Sequence, residues 1–578
     1  MSADRRAARR RWAQDGVVAA GLSAAMLGGA GAAAATPDDG AGSTAVRSGH
    51  TAASPRAAAS RSSAPRPAAA RNAARPAAAI TDVAPPVLTA RTTSALPRGT
   101  GSSARAVVIA PPATAVSTTD LTPTSAQTMT TTPTPTAQLT TDKVIPLPRP
   151  LRGPKAAYVG PLQAAVLAAQ AYIYGYPLME FERVRQTVPD LNTIYSLTSF
   201  ANPDADPMWT AIGGGKRPNT DTFYSLAELD LSDGPVILSI PDMGTRYYSF
   251  QLTDPYTNAI TYIGSRATGT DPGQYAIEWT GNEQPVADGV TAVKVPYSSI
   301  LMLGRTLAGD AADQQAAIAL INQYSLTPNG GSPPVTPHPK PGLDYLDAIS
   351  AAMTSNPPPG QDAPELAKLA KIGVGPGLTV ADAGLGPLSR LAADLAVKVT
   401  AALLPSLANL QQLVSAVQNK GWAIPDSSIG DFGTNYLLRA GVAEVGLLAN
   451  TPEEAMYSSA LLDSNLLPLN GCSSYVLHFA PGQTPPTDAF WSVTVYDANG
   501  NLVQNPENRY SVSSSRPDDL VTRPDGSIDI IFSTTDPGDP TANWLPIPSA
   551  SFGVYLRNYV PQQSALDGSW TPPGIQRR

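Results

Sequence analysis

Two words in the middle of the chain crowd groups that accept, donate and stack: PNTDTFYSLAELDL at Pro218–Leu231 and IPDMGTRYYSFQLTDPYTN at Ile240–Asn258. They hold Asn219, Asp221, Tyr224, Arg246, Tyr247, Tyr248, Asp254 and Tyr256. An oxygen-rich set such as Asn219, Thr220, Asp221 and Thr222 could hold a hard cation, Ca²⁺ above all. It could also pair Asp221 with Asp230 or Asp254 as acid and base. The third reading, a polar corner in which Asx and Thr side chains bond their own backbone, is the one this composition favours. Arg246 could join Asp221 or Asp254 in a pair that orients a ligand carboxylate or locks a sheet. Asn219, Tyr224, Arg246 and Tyr247 are thus candidate ligand-binding residues, and Asp221 a candidate catalytic carboxylate.

A second group lies in the C-terminal part. Trp491, Tyr496, Arg509, Tyr510, Trp544 and Arg557 offer aromatic planes and guanidinium forks suited to sugar or carboxylate recognition; Trp491, Arg509, Tyr510 and Trp544 are taken as ligand-binding candidates. Core packing would equally explain the tryptophans. In SYVLHF, strand alternation puts Tyr475, Leu477 and Phe479 on one face and Val476 with His478 on the other. With the first face in the core, His478 looks outward or into a cleft, where it could act as a general base near neutral pH. A hydrogen-bonded structural role is the simpler reading for a histidine without a located partner.

Absences bound the chemistry. The chain has three histidines and one cysteine. His338 sits in a proline-rich loop, leaving too few ligands for a three-histidine zinc site, and no metal site is expected. No Gly-Xaa-Ser-Xaa-Gly elbow, Walker loop or dinucleotide fingerprint occurs. The run Gly213–Gly214–Gly215–Lys216–Arg217 could present backbone N–H groups to an anion, but without a following helix it reads as a turn.

These residues must be positioned by the elements around them. PVILSI, RYYSFQLTD, AITYIGS, YAIEW, TAVKV and ILMLGRT are β-branched and aromatic runs separated by turn residues, and SYVLHF, FWSVTVYD, SIDIIFS and FGVYLRNY repeat that texture near the C-terminus. Closely spaced strands with turn signals predict sandwiches or barrels. PLQAAVLAAQAYIYGYPLMEFERV opens the folded body as a helix. Between the strand-rich parts, residues 310–419 have helical periodicity, and Leu391, Leu395, Val399, Ala402 and Leu403 form an apolar stripe expected to pack against a β domain.

The N-terminus places five arginines ahead of a Gly/Ala-rich apolar run with small residues at Ala33 and Ala35, the order of a cleaved export signal. Thr36–Pro150 is built from Ala, Pro, Thr, Ser and Arg and cannot bury enough surface to offset chain entropy. The formal charge of −7 divides into +3 for the leader, +6 for this tether and −16 for the rest. So acidic a body disfavours nucleic acid and anionic membrane, and the lone Cys472 permits no intrachain disulfide.

The words quoted above, with YIGSRATG, resemble the bacterial family called domain of unknown function 1254 over roughly Ala164–Arg305. FWSVTVYDANGNLVQNPENRYSV, DGSIDI, NWLPIP and YLRNYVPQ resemble its frequent companion, domain of unknown function 1214, over roughly Ala455–Pro573. The resemblance implies two β-rich domains, often exported, often oligomeric and without an established general activity.

The expected fold is mainly β with helical insertions: two antiparallel β-sandwich or jelly-roll-like domains joined by a helical segment. The expected order is a signal peptide at 1–35, a disordered tether at 36–150, a first β domain at 155–305, a helical connection at 306–420 and a second β domain at 421–578. The expected function is that of an exported protein, secreted or of the cell envelope, that binds a small polar ligand or glycan and could self-associate. It would bind no nucleic acid and keep no membrane span once the signal is removed. The alternative is a secreted hydrolase or lyase, with His478 or Asp221 as base and Arg246 or Arg509 stabilising developing negative charge.

Overall fold

The β-branched and aromatic runs separated by Gly, Pro and Asx become strands whose side chains are buried on both faces, as in Thr222–Asp230 and Phe552–Pro561. A strand covered on both faces needs a partner layer on each side. A computed structural model describes residues 158–201 and 217–578; the expected signal peptide, the tether and Gly213–Lys216 lie outside the described residues.

In the first half, β1 (Tyr195–Leu197), β2 (Thr222–Asp230), β4 (Tyr248–Thr253), β5 (Ala259–Gly264) and β8 (Ser299–Leu307) form a five-stranded sheet ordered β1-β2-β8-β4-β5. β3 (Val236–Ile240), β6 (Gly273–Trp279), β7 (Thr291–Val295) and β9 (Ser325–Thr327) form a four-stranded sheet ordered β7-β6-β3-β9.

The second half repeats this arrangement strand for strand. β10 (Trp422–Ala423), β11 (Ala455–Ala460), β13 (Thr487–Asp497), β14 (Ser511–Ser513) and β17 (Phe552–Pro561) make a five-stranded sheet ordered β10-β11-β17-β13-β14. β12 (Tyr475–Phe479), β15 (Ile528–Ser533), β16 (Asn543–Pro546) and β18 (Gln576–Arg577) make the four-stranded one, ordered β16-β15-β12-β18. Even the parallel pairs correspond: β6–β7 in one half and β15–β16 in the other, each within an otherwise antiparallel sheet. The fold is thus mainly β, with mixed sheets.

One turn is repeated in atomic detail. Asp254 accepts from the backbone and side-chain nitrogens of Asn258 at 2.8 and 2.9 Å. Asp497 accepts from the same two atoms of Asn501 at 2.8 and 3.2 Å. The residue before each asparagine, Thr257 and Gly500, has positive φ.

Strand alternation decides what each face meets. On β17, Val554 and Leu556 join Leu477, Phe479, Trp491, Val493, Ile530 and Phe532 in the core of the second sandwich. The intervening Tyr555, Arg557 and Tyr559 point to the opposite face, toward the first half. On the first five-stranded sheet, Leu226, Leu301 and Leu303 meet helices α1 (Pro161–Arg185) and α6 (Tyr436–Gly446), through Phe181, Val184 and Ala443.

The remaining helices are α2 (Ala311–Ile321), α3 (Leu343–Ser355), α4 (Ala363–Leu369), α5 (Pro387–Gln418) and α7 (Gln563–Leu566). α5 packs along α1 and α6, burying Ala393, Val397, Thr400, Leu404, Leu407 and Ala408. This corrects the expected stripe: Leu391, Leu395 and Val399 are exposed. The α1 side of the contact is rich in buried alanines, Ala164, Ala168 and Ala171, and small side chains on facing helices let the backbones approach closely. By length and composition alone, α5 could cross a membrane.

Candidate functional site

The outer faces of the two five-stranded sheets meet, and the residues on their central strands build the candidate site. Arg305 on β8 stands between Tyr224 of β2 and Ser249 of β4. Arg557 on β17 stands between Tyr457 of β11 and Ser492 of β13. Both halves therefore carry a Tyr–Arg–Ser row at the same register position, and each guanidinium lies over the tyrosine of its own row, at 5.8 Å for Tyr224 and 6.0 Å for Tyr457. Such contacts hold a cation without neutralising it.

Both arginines are buried, 5% and 4% exposed, and an arginine side chain stays protonated in proteins. Their hydrogen bonds go to neutral acceptors. Arg305 donates to Gln251 Oε1 at 3.0 Å, Asn450 Oδ1 at 2.9 Å and the Leu448 carbonyl at 2.9 Å. Arg557 donates to Thr494 Oγ1 at 3.0 Å, the Arg217 carbonyl at 2.8 Å and the Tyr496 hydroxyl at 2.6 Å. Neither forms an ion pair with a carboxylate among the described residues. Asn450 joins the halves, since its amide also donates to the Tyr457 hydroxyl at 2.7 Å.

The two arginines open onto one chamber of about 220 Å³. Its polar wall holds Asn219, Tyr224, Tyr457, Ser459, Tyr555 and Tyr559; its apolar wall comes from Leu303 and from α6 and the segment after it, through Val442, Val445, Leu447 and Leu448. Arg217 stands at the edge, its guanidinium 5.3 Å from the Tyr555 ring centre. Such a mainly apolar space with a few convergent cations suits a small organic anion.

A second pair of exchanged contacts holds the sheets together. Asp221, fully buried three residues before Tyr224, accepts from Ser492 at 2.6 Å and pairs with Arg516 at 3.5 Å, both in the second half. Glu454, equally buried three residues before Tyr457, accepts from Tyr247 at 2.7 Å and pairs with Arg266 at 2.7 Å, both in the first half. The aromatic contact between the halves is completed by Phe490 stacked on Tyr559 at 4.2 Å, with Tyr247 edge-on to both.

The sequence candidates are distributed over several places. Asn219 and Tyr224 line the chamber. Asn219 also makes the expected polar corner, its Oδ1 accepting from the Asp221 and Thr222 amides at 2.9 and 2.7 Å. Arg246 pairs with neither Asp221 nor Asp254; it forks onto Asp313 of α2 at 2.8 and 2.5 Å, and that fork holds the Asp313 carboxyl below its usual range. Tyr247 is buried between the halves. Trp491 is in the second sandwich core, 5.5 Å from Phe479.

Arg509, Tyr510 and Trp544 line a separate, open groove of about 1130 Å³. Their polar atoms are engaged internally: Arg509 with the Asp519 carbonyl, Tyr510 with Asn508, and the Trp544 indole with the Ser533 carbonyl. His478 points outward from β12, as its alternation predicts, with Nδ1 2.5 Å from Asp529, which also pairs with Arg523 at 2.7 Å. His478, Asp221 and Arg246 thus have three different sets of partners. Among the described residues, no group of three or more His, Cys, Asp or Glu could hold a metal ion.

Arg305, Tyr457, Asn450 and Tyr559 were not singled out from the sequence. The signal that finds them is the repeat: Tyr247-Tyr248-Ser249 followed by Asp254, against Phe490-Trp491-Ser492 followed by Asp497, with Asp221…Tyr224 against Glu454…Tyr457.

Residues 191–328 match the family model described as "Protein of unknown function (DUF1254)", and residues 454–563 match "Protein of unknown function (DUF1214)". The first match spans Tyr224, Ser249 and Arg305, the second Tyr457, Ser492 and Arg557. No curated protein matches the chain. Among solved structures, the VPA0106 protein from Vibrio parahaemolyticus is 25% identical with a TM-score of 0.54, over 72% of this chain and 100% of that one. An uncharacterized protein from Burkholderia cenocepacia is 13% identical with a TM-score of 0.36, over 71% of this chain and 88% of its own.

Proposed function

We propose that the protein binds a small organic anion, a carboxylate with an apolar body, in the chamber between the two five-stranded sheets. The observation that carries this is a pair of buried guanidiniums, Arg305 and Arg557, whose hydrogen bonds all end on neutral acceptors. Burying a charge that no carboxylate hydrogen-bonds is costly, and a bound carboxylate would supply that partner. Val442, Val445, Leu447 and Leu448 would cover the ligand's apolar part. Behind an export signal, such a chamber would meet its ligand outside the cytoplasm.

His478 and Asp221 give a hydrolase or lyase less support, because each is engaged by partners away from the other. The groove at Arg509, Tyr510 and Trp544 supports glycan binding less well than the chamber supports an anion, because Arg509, Tyr510 and Trp544 each already make an internal hydrogen bond. The test is calorimetric titration of the full chain with short aliphatic and aromatic carboxylates. Binding that Arg305→Gln weakens by about 10- to 100-fold supports the proposal, in line with a hydrogen bond to a charged group; binding indifferent to that change, or no binding across the panel, refutes it.

A further inference from the structure

Resting on the anion-binding reading above, we infer that the ligand is two-headed: an α,ω-dicarboxylate with a short apolar spacer, one carboxylate on each arginine. The chamber lies where the two halves of the repeat face one another, so its buried arginines and their flanking groups come in equivalent pairs, with Arg217 a third guanidinium in the lining. Arg305 with Tyr224 and Ser249 is matched by Arg557 with Tyr457 and Ser492. The exchanged acids repeat the relation, Asp221 reaching Arg516 and Glu454 reaching Arg266. A ligand with one anionic end would leave the other guanidinium buried, with hydrogen bonds to neutral acceptors only. A ligand with two such ends satisfies both.

Size narrows the class. A cavity of about 150 Å³ accommodates benzene, so the chamber's 220 Å³ corresponds to about nine non-hydrogen atoms on that scale. Diacids of five or six carbons are nearest that size. The lining includes Leu303, Val442, Val445, Leu447 and Leu448, which a methylene spacer would match better than a fully hydroxylated one.

The two heads are not equal. Ser492 in the Arg557 row donates to the buried Asp221 carboxylate, whereas Ser249 in the Arg305 row accepts from the neutral Tyr247 hydroxyl. Arg305 therefore has the greater need of an anion and is the stronger head.

Succinate, adipate, suberate and hexanoate, titrated into the full chain and followed by calorimetry, test this directly. The expected result is adipate binding at least 10-fold more tightly than hexanoate. Arg305→Gln and Arg557→Gln should each weaken adipate binding at least 10-fold, with Arg305→Gln the larger loss. Should either glutamine variant fail to fold, Val445→Trp, which fills the chamber from α6, replaces it and is expected to abolish adipate binding. Equal affinity for adipate and hexanoate, with both still sensitive to Arg305→Gln, overturns the two-headed ligand and leaves the anion chamber standing. Binding of none of the four, or binding that all three variants leave unchanged, overturns both.

Discussion

Arg305 and Arg557 occupy one register position in two copies of the same sheet, each flanked by a tyrosine on one neighbouring strand and a serine on the other. The copies face each other, so the equivalent arginines converge on one chamber. A repeat packed face to face in this way produces a site whose binding groups are paired by construction.

Asn450 is the joint between the copies, accepting from Arg305 and donating to Tyr457. Asn450→Leu keeps the side chain's size and removes both bonds, leaving a buried guanidinium and a buried hydroxyl each short of a partner. A loss of about 1–3 kcal/mol in unfolding free energy is expected, together with weaker anion binding. Denaturant unfolding measures the first and calorimetry the second; a change in neither would detach Asn450 from the site.

Glu454 is the buried half of an ion pair whose other half, Arg266, is about one-third exposed. Glu454→Ala also removes the shorter of the Tyr247 hydroxyl's two acceptors, leaving Ser249 Oγ at 3.2 Å. Because one partner is partly solvated, the loss should fall near or below the lower end of the range for buried pairs, about 2–3 kcal/mol. Arg266→Ala, which leaves the buried carboxylate alone, should cost at least as much. Denaturant midpoints of the two variants check the order.

Burial raises the Glu228 carboxyl from 4.5 to about 8, against the opposing pull of Arg185 at 2.8 Å. The folded protein then holds this proton to higher pH than the unfolded chain does. Its contribution is complete below about pH 4.5 and is lost as the pH rises toward about 8. Asp254, raised to about 6 by burial, acts in the same direction but finishes earlier. Between pH 7 and 8, Glu228→Gln should therefore show a flatter decline in unfolding free energy than the parent, whose slope from this group is at most about 1.4 kcal/mol per pH unit. Parallel profiles for the two proteins would mean that Glu228 does not titrate there.

The strand runs, the opening helix and the split into two β-rich halves were legible because their periodicities are local. So was the orientation of His478, because alternation along YVLHF leaves no other face for it. The chamber was not. Arg305 sits in ILMLGRT, where a lone arginine at the end of an apolar run looks like the strand's exit into solvent, and only the second sheet shows that it is buried. The repeat was present in Tyr-Tyr-Ser and Phe-Trp-Ser and in the two Asp…Asn turns, but longer loops in the second half keep the offset between equivalent residues from being constant, so no fixed period announces it. Arg246 went to Asp313 rather than Asp221 because α2, which supplies the partner, lies in a stretch whose sequence marks only a helix.

Calorimetric titration of one six-carbon carboxylate into the parent protein and the double variant Arg305→Gln/Arg557→Gln is the most direct measurement of the central claim. Measurable binding by the parent and a loss of more than about 100-fold in the double variant, the sum expected from removing two charge-assisted contacts, is the predicted result. Equal affinity in a double variant that still unfolds cooperatively would contradict it and place the ligand somewhere other than between the paired arginines.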